Sequence, residues 1–440
     1  MKQLIILVSL CSVIFSAPIV ELTVKERMGQ ARTGEPVTTG VPLPNGLLTD
    51  VNNLALTDAA GNKVNCEFRK VSEWHNNTSV KWVHLDFQTS LAESGSVKYV
   101  LHDDASKHAI TGSTLTVTDQ GSRFEVNTGK IKFFVKKANY NVIDEALIGT
   151  DTIITPHSRG LALKIGSNEY LSSSDASSTT TIERQGGMAV CIKSEGYLKM
   201  GASSSGLFFQ SRIYAYNNSP VIKYVLAFEL HKSMVKDSIV VKSLFIDLPT
   251  KLSNATATLG APTAPQSAAL AAGDTSYVVA SNPFTIAMGA NDAKVFYKFG
   301  GKATGNGDAM VSSTHFHDKA LGWGSLSNGS KGFAFSFRDY WQQNPKSLEL
   351  YGSGLCRIGL YPELRNGEFL DLKWYSGMAR TVEMRLALIK NENSNDVKAL
   401  VHGIQTPLLA IAPPSWYCSD TRAFGLLVER DTSKIKQPYQ

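Results

Sequence analysis

Charge is scarce in this chain, and its scarcity excludes several kinds of protein. Only 19% of the 440 residues are Asp, Glu, Lys or Arg, and 44 basic against 38 acidic side chains leave +6. No run of Lys and Arg makes the basic patch that nucleic-acid binders concentrate, so nucleic acid is not an expected partner. Long apolar stretches are missing as well. The segment from Leu4 to Phe15 is too short to span a bilayer, no later run approaches membrane length, and no membrane partner is expected. That segment follows Lys2 and precedes the small residues Ser16 and Ala17, the basic, apolar, small order of a signal peptide. Residues 1–16 are therefore read as a leader and the protein as secreted, in the periplasm or on the cell surface if the source is bacterial.

Cysteine is sparse too. Of five, Cys11 lies in the leader, which leaves Cys66, Cys191, Cys356 and Cys418. Their spacing is too wide for a zinc ribbon or a redox pair, and four cysteines in an oxidising compartment allow either one or two disulfides or buried free thiols. The sequons at Asn76, Asn77, Asn217, Asn254 and Asn328 matter only in a eukaryotic secretory pathway. Motifs for other chemistries are absent: no Gly-x-Ser-x-Gly, no His-Glu-x-x-His, no P-loop and no dinucleotide-binding glycine pattern.

What the chain has is period-two alternation. Ile131, Phe133 and Val135 alternate with lysines; Phe333, Phe335 and Phe337 alternate with Ala334, Ser336 and Arg338; Val382, Met384 and Leu386 alternate with Glu383 and Arg385. Such runs predict strands with one buried and one wet face, and Asn127-Thr128-Gly129 predicts a hairpin turn. One helix is predicted, from Val397, Leu400, Val401 and Ile404, with Asn395 as its cap and Gly403 near its end. The length suits two or three domains. A polar stretch at His102–Lys107 marks the end of the first, and Ala412-Pro413-Pro414-Ser415 breaks regular structure after the helix. Ser172 to Thr181 and Ala261 to Ala272 read as loops.

Several segments carry a resemblance. Gly40-Val41-Pro42-Leu43-Pro44-Asn45-Gly46, Leu56-Thr57-Asp58, Trp74 and Ser79-Val80-Lys81-Trp82-Val83 resemble the N-terminal barrel of the exo-rhamnogalacturonan lyase-like (PcRGLX/YetA-like) proteins. Phe124–Lys130, Arg338-Asp339-Tyr340-Trp341-Gln342 with Pro345, and Gly377–Glu383 resemble that family's central β-sandwich. The resemblance implies a mainly β fold with very little helix: a small RIFT-type β-barrel over 20–104, then a large antiparallel β-sandwich over 112–405. Residues 406–440 are read as a linker and the threshold of an α/α toroid that the sequence does not supply, so that half of the family's cleft is absent. The implied activity is β-elimination on rhamnogalacturonan, pectic or similar acidic glycans, by a lyase with little activity alone. An accessory module that binds acidic glycan without cleaving it and a structural surface β-protein are the alternatives.

β-Elimination at a uronate needs the carboxylate neutralised and a base near the proton beside it. Arg338 and Tyr340 meet that requirement if alternation holds them on one face, with Ala334 and Ser336 leaving room for a sugar. Trp323 and Trp341 are stacking candidates, and Arg357 and Arg380 are candidates for binding acidic sugar. His315 and His317 have a spacing usable for a metal, but no third ligand is named and no cofactor is indicated. Each has an ordinary alternative: arginines paired with acids, aromatics capping the core, histidines solvated. Trp74, Lys81 and Trp82 read as packing of the barrel.

Overall fold

The structure, a computed structural model, describes residues 17–231, 237–260, 264–281, 294–298, 321–362, 372–391 and 394–429. His315 and His317 lie outside the described residues, as does the leader. The described residues are mainly strand and divide into two compact units: those within 17–26, 35–111 and 408–429 form one, and those within 27–34 and 112–407 form the other.

The first unit has a five-stranded sheet and a three-stranded sheet around one core. Alternation builds it: Leu22 and Val24, and Val83 and Leu85, are buried on either side of the less buried Thr23 and His84, and Leu56 and Leu101 meet across two paired strands in the same core. The strand Ala17–Lys25 pairs with Ser96–Asp103, and on its other edge with Ala410–Ile411. The segment read as a linker thus returns a strand to this unit, and Leu408, Ala410, Ala412 and Trp416 enter its core. The Trp416 indole N–H donates to the Pro42 carbonyl at 2.8 Å. Trp74, Lys81 and Trp82 are half-buried, with the Lys81 ammonium 4.7 Å from the Trp74 ring centroid and Trp82 edge-on to Phe424.

The second unit is a β-sandwich. Among the described residues, fifteen strands follow one continuous path that folds back on itself, a sixteenth, Thr179–Gln185, pairs off it with Ala189–Met200, and a five-stranded sheet covers residues 116–154. One half contains Ala189–Met200, Ser203–Tyr216, Val221–Leu230, Ala379–Lys390 and Lys331–Phe337 in neighbouring positions. The other contains Leu161–Ile165, Ser243–Pro249, Leu355–Tyr361, Lys346–Tyr351 and Thr275–Ser281. Phe209, Tyr224, Phe333, Phe335 and Met384 from the first half share one core with Ile246, Ile358, Leu348 and Val278 from the second. The hairpin forms as expected: Arg123–Asn127 pairs with Ile131–Lys136, Gly129 turns at φ +88°, and its N–H donates to the Asn127 side-chain oxygen. Gln266–Ala269, expected as loop, pairs with Thr256–Leu259 as an edge strand. Small Ala and Ser side chains allow this although they give no apolar signal.

The helix spans Ser394–His402 and continues as a 3₁₀ turn through Gln405, so Asn395 falls inside it rather than at its cap. It lies on the outer face of the first half, where Val397 and Val401 cover Trp323, Ala334, Ala387 and Ile389. The strand Lys331–Phe337 is consequently buried on both faces, and the face of Ala334 and Ser336 has no room for a sugar.

The four cysteines among the described residues are free thiols; Cys66, Cys191 and Cys356 are buried and Cys418 is half-buried. Asn217 is buried, and its side-chain oxygen accepts from Thr114, so that sequon is closed by packing.

Candidate functional site

Beyond the helix, the outer face of the first half stays open, and register stacks its side chains in rows. Alternation buries Ile192, Ile213, Leu226 and Val382, and turns the residues between them outward. One row runs Lys193, Arg212, Val225, Glu383; the next runs Glu195, Gln210, Ala227, Thr381; the last runs Tyr197, Phe208, Glu229, Ala379. Val225, Ala227, Thr381 and Ala379 are short, so the middle of this face is a shallow floor between longer polar and aromatic side chains.

Charge on the face is held in fixed geometry. Arg212 makes a bidentate pair with Glu183 at 2.7 and 2.8 Å and donates to Gln210 at 2.8 Å. The Arg212 hydrogen bonds hold the Glu183 carboxyl below its ordinary range despite some burial. Glu383 accepts from Arg338 at 3.1 Å and lies 3.5 Å from the Lys223 ammonium. Lys193 pairs with Glu195, which also accepts from Gln210. Burial pushes the Tyr214 phenol above its usual value and the Cys191 thiol up to about 12, in both cases reinforced by neighbouring charge, so neither is a ready base or nucleophile.

At the aromatic end, Tyr197, Phe208 and His231 form a half-exposed cluster. The Tyr197 hydroxyl lies 2.8 Å from His231 Nδ1. Phe208 stacks on the imidazole with centroids 4.8 Å apart, and Tyr197 meets it edge-on at 5.5 Å. The stack fixes the ring plane, and the phenol fixes which nitrogen faces it. Glu229 lies 3.9 Å from His231 Nε2, on the other side of the ring. Nearby, Lys199 is paired with the buried Asp175 at 2.7 Å. Burial raises the Asp175 carboxyl, but bonds from Lys199, Ser177 and the Tyr197 N–H outweigh it and hold it low.

The residues singled out in the sequence are scattered by comparison. Arg338 sits at the rim of the open face, paired with Glu383. Tyr340 does not share its face. The strand ends at Phe337, Asp339 takes φ +53°, and Tyr340 turns into the core, where its hydroxyl donates to the carbonyls of Val278 and Lys346 at 2.9 and 3.1 Å. Trp323 is fully buried beneath the helix and offers no stacking surface; Gly260 is needed beside it, because a Cβ there would lie 2.2 Å from the indole nitrogen. Trp341 is half-buried on the loop between Arg338 and Gln343. Arg380 turns inward opposite Phe228 and donates to the Gln343 carbonyl. Arg338 and Arg380 thus meet opposite faces of the strand Ala379–Lys390 and are not brought together.

Arg357 belongs to the other half of the sandwich. It pairs with Asp247 at 2.8 and 3.1 Å and stacks on Phe245 at 3.9 Å. Burial works against its charge, but Asp247 outweighs this and raises its pKa. Asp247 is also held by Arg159, which is bidentate to Glu169, so this is a satisfied network. Among the described residues no group of three His, Cys, Asp or Glu side chains is placed to hold a metal ion.

Sequence reasoning missed Tyr197, Phe208, His231, Arg212 and Lys223. Alternation in 189–200, 203–216 and 221–230 turns Tyr197, Phe208, Arg212 and Lys223 outward, and His231 follows the last of these strands, but only cross-strand register shows which residues meet.

The architecture is that of a β-sandwich protein. Residues 115–256 match the family described as the PcRGLX-like protein central beta sandwich domain. A comparison with curated proteins gives no match. Among solved structures, the chain is similar to a protein in the glycosyl hydrolase family 38 from Enterococcus faecalis, with 9% identity and a TM-score of 0.53 over 90% of this chain and 47% of that one. It is also similar to an alpha-mannosidase from Enterococcus faecalis V583, with 9% identity and a TM-score of 0.55 over 90% of this chain and 46% of that one. The chain spans less than half the length of either structure, and at this identity the likeness is one of fold. Among the described residues, no helix is long and apolar enough to cross a membrane.

Proposed function

We propose that this is an exported protein that holds an acidic glycan of the pectic rhamnogalacturonan class on the open face of its sandwich and acts on it by β-elimination. The observation that carries this reading is the Tyr197–His231 pair, half-exposed at the aromatic end of a shallow-floored polar sheet. A phenol bonded to an imidazole can give up its proton to that ring, and the resulting phenolate can take the proton beside a uronate carboxylate. The glycosidic C–O bond then breaks as the ring C=C forms, and the proton held by the imidazole passes to the departing oxygen. Phe208 supplies a flat surface for the apolar face of a sugar.

A second reading, binding without cleavage, is favoured by a specific observation. Arg212, Lys223 and Arg338 all lie beside carboxylates already, and Lys199 is paired with Asp175. None of these cations is free to neutralise a uronate beside the pair.

Incubation with rhamnogalacturonan separates the two. The first reading expects unsaturated product absorbing in the ultraviolet, no product from neutral glycans, and a fall of about a hundredfold or more in rate for Tyr197→Phe with binding retained. Binding without product selects the second reading, and neither binding nor product across acidic glycans rejects both.

A further inference from the structure

The three-stranded sheet of the first unit carries aromatic and charged side chains on its outward side. In the strand Val80–Leu91, Val83, Leu85 and Phe87 enter the core, which turns Trp82 and His84 to the other face. Register sets Arg69, on the strand Cys66–Glu73, opposite His84, and the guanidinium lies 2.8 Å from His84 Nδ1. Arginine only donates, so Nδ1 accepts, and the proton of the neutral ring sits on Nε2.

Gly40, on the strand Arg32–Pro42, leaves a notch between the two rings. A Cβ there would lie 3.7 Å from Trp82 Cε3, 3.7 Å from His84 Cδ2 and 3.9 Å from His84 Nε2, all ordinary contact distances. An atom of a ligand seated at that position touches the indole and the imidazole together. Phe424 meets Trp82 in a T-shaped contact with centroids 5.3 Å apart, yet stays 60% exposed. Arg69 is exposed as well, and Trp82 is only half-buried. Flat apolar rings left partly in water, a notch with room for one atom, and a guanidinium fork behind the imidazole are the parts of a sugar site.

We propose that this face of the first unit is a second glycan-binding surface, on which Trp82 and Phe424 pack against a pyranose ring and Arg69 receives the carboxylate of a uronate. The choice of ligand rests on the acidic-glycan reading above; the position depends neither on the sandwich face nor on elimination. Trp82 then serves recognition rather than packing of the barrel. The charged Arg69–His84 row beside Trp82 favours a sugar over an apolar protein face, which would withdraw that charge from water.

Fluorine NMR of the full chain labelled with 5-fluorotryptophan tests this. The chain has six tryptophans, and the line that disappears in Trp82→Phe is that of Trp82. A rhamnogalacturonan oligosaccharide is expected to move that line saturably, with the same midpoint in Phe208→Ala and a midpoint about tenfold higher in Arg69→Gln. An unchanged midpoint in Arg69→Gln, or an equal response to carboxyl-reduced oligosaccharide, overturns the uronate contact. A Trp82 line that stays still, while calorimetry reports binding that Phe208→Ala weakens, overturns the surface and leaves the sandwich reading standing. A shift lost in Phe208→Ala overturns it too, because the ligand then sits on the sandwich. A Trp82 line that broadens with protein concentration without sugar, together with a doubled mass in solution, assigns the face to a second copy instead. Binding nowhere rejects this surface and the glycan reading together.

Discussion

Tyr340 shows how a residue chosen for chemistry can serve structure instead. Its hydroxyl bridges two carbonyls on the strands opposite, so removing that oxygen leaves both buried acceptors without this donor. Tyr340→Phe is expected to lose about 1–2 kcal/mol of stability, read as a lower denaturation midpoint, with glycan binding unchanged. Asp144 has a different role. Burial raises its carboxyl, but bonds from Asn141, Lys136 and Arg123 outweigh that and hold it below the ordinary value. A carboxyl depressed in the folded state stabilises above its unfolded value, and that stabilisation disappears as pH falls through the folded value. Asp144→Asn is therefore expected to cost about 1–3 kcal/mol near pH 7, and the gap to wild type should narrow as pH falls below the ordinary carboxylate range. Denaturant midpoints at several pH values measure it, and a constant gap would assign its role to shape alone.

Among the elements, strands were legible and their neighbours were not. Phe333, Phe335 and Phe337 alternate clearly, and all three are core. Their wet side was misread because the only α-helix among the described residues lies across it, and alternation cannot say what covers a face. Val397 and Val401 announced that helix, yet nothing in them named Trp323 and Ala334 as the surface beneath. Val401→Ala is expected to cost about 1–3 kcal/mol and to loosen the helix first. Hydrogen exchange should then quicken in 394–402 before the strand beneath; uniform acceleration would count against an independently fraying helix. The Tyr197–His231 pair was invisible for a related reason. Its members stand 34 residues apart in sequence and lie close because neighbouring strands bring them to one end of the sheet. The aromatic-rich run Arg338–Trp341 drew attention because it was contiguous.

At the scale of the molecule, the chain makes two units, each with its own core, and the Ala410–Ile411 strand belongs to the first although it follows the second in sequence. The sandwich has two outward faces with different character. On one, Arg357, Asp247, Arg159 and Glu169 neutralise one another beside Phe245 and Tyr351. On the other, polar rows border a floor of short side chains that ends at Tyr197, Phe208 and His231. Locating the glycan on the second face is the central claim, and calorimetric titration with a rhamnogalacturonan oligosaccharide tests it most directly. Phe208→Ala should weaken binding about tenfold, a loss of about 1.4 kcal/mol, while Tyr351→Ala on the opposite half leaves it unchanged. Wild-type affinity in a folded Phe208→Ala, with loss in Tyr351→Ala, would contradict it.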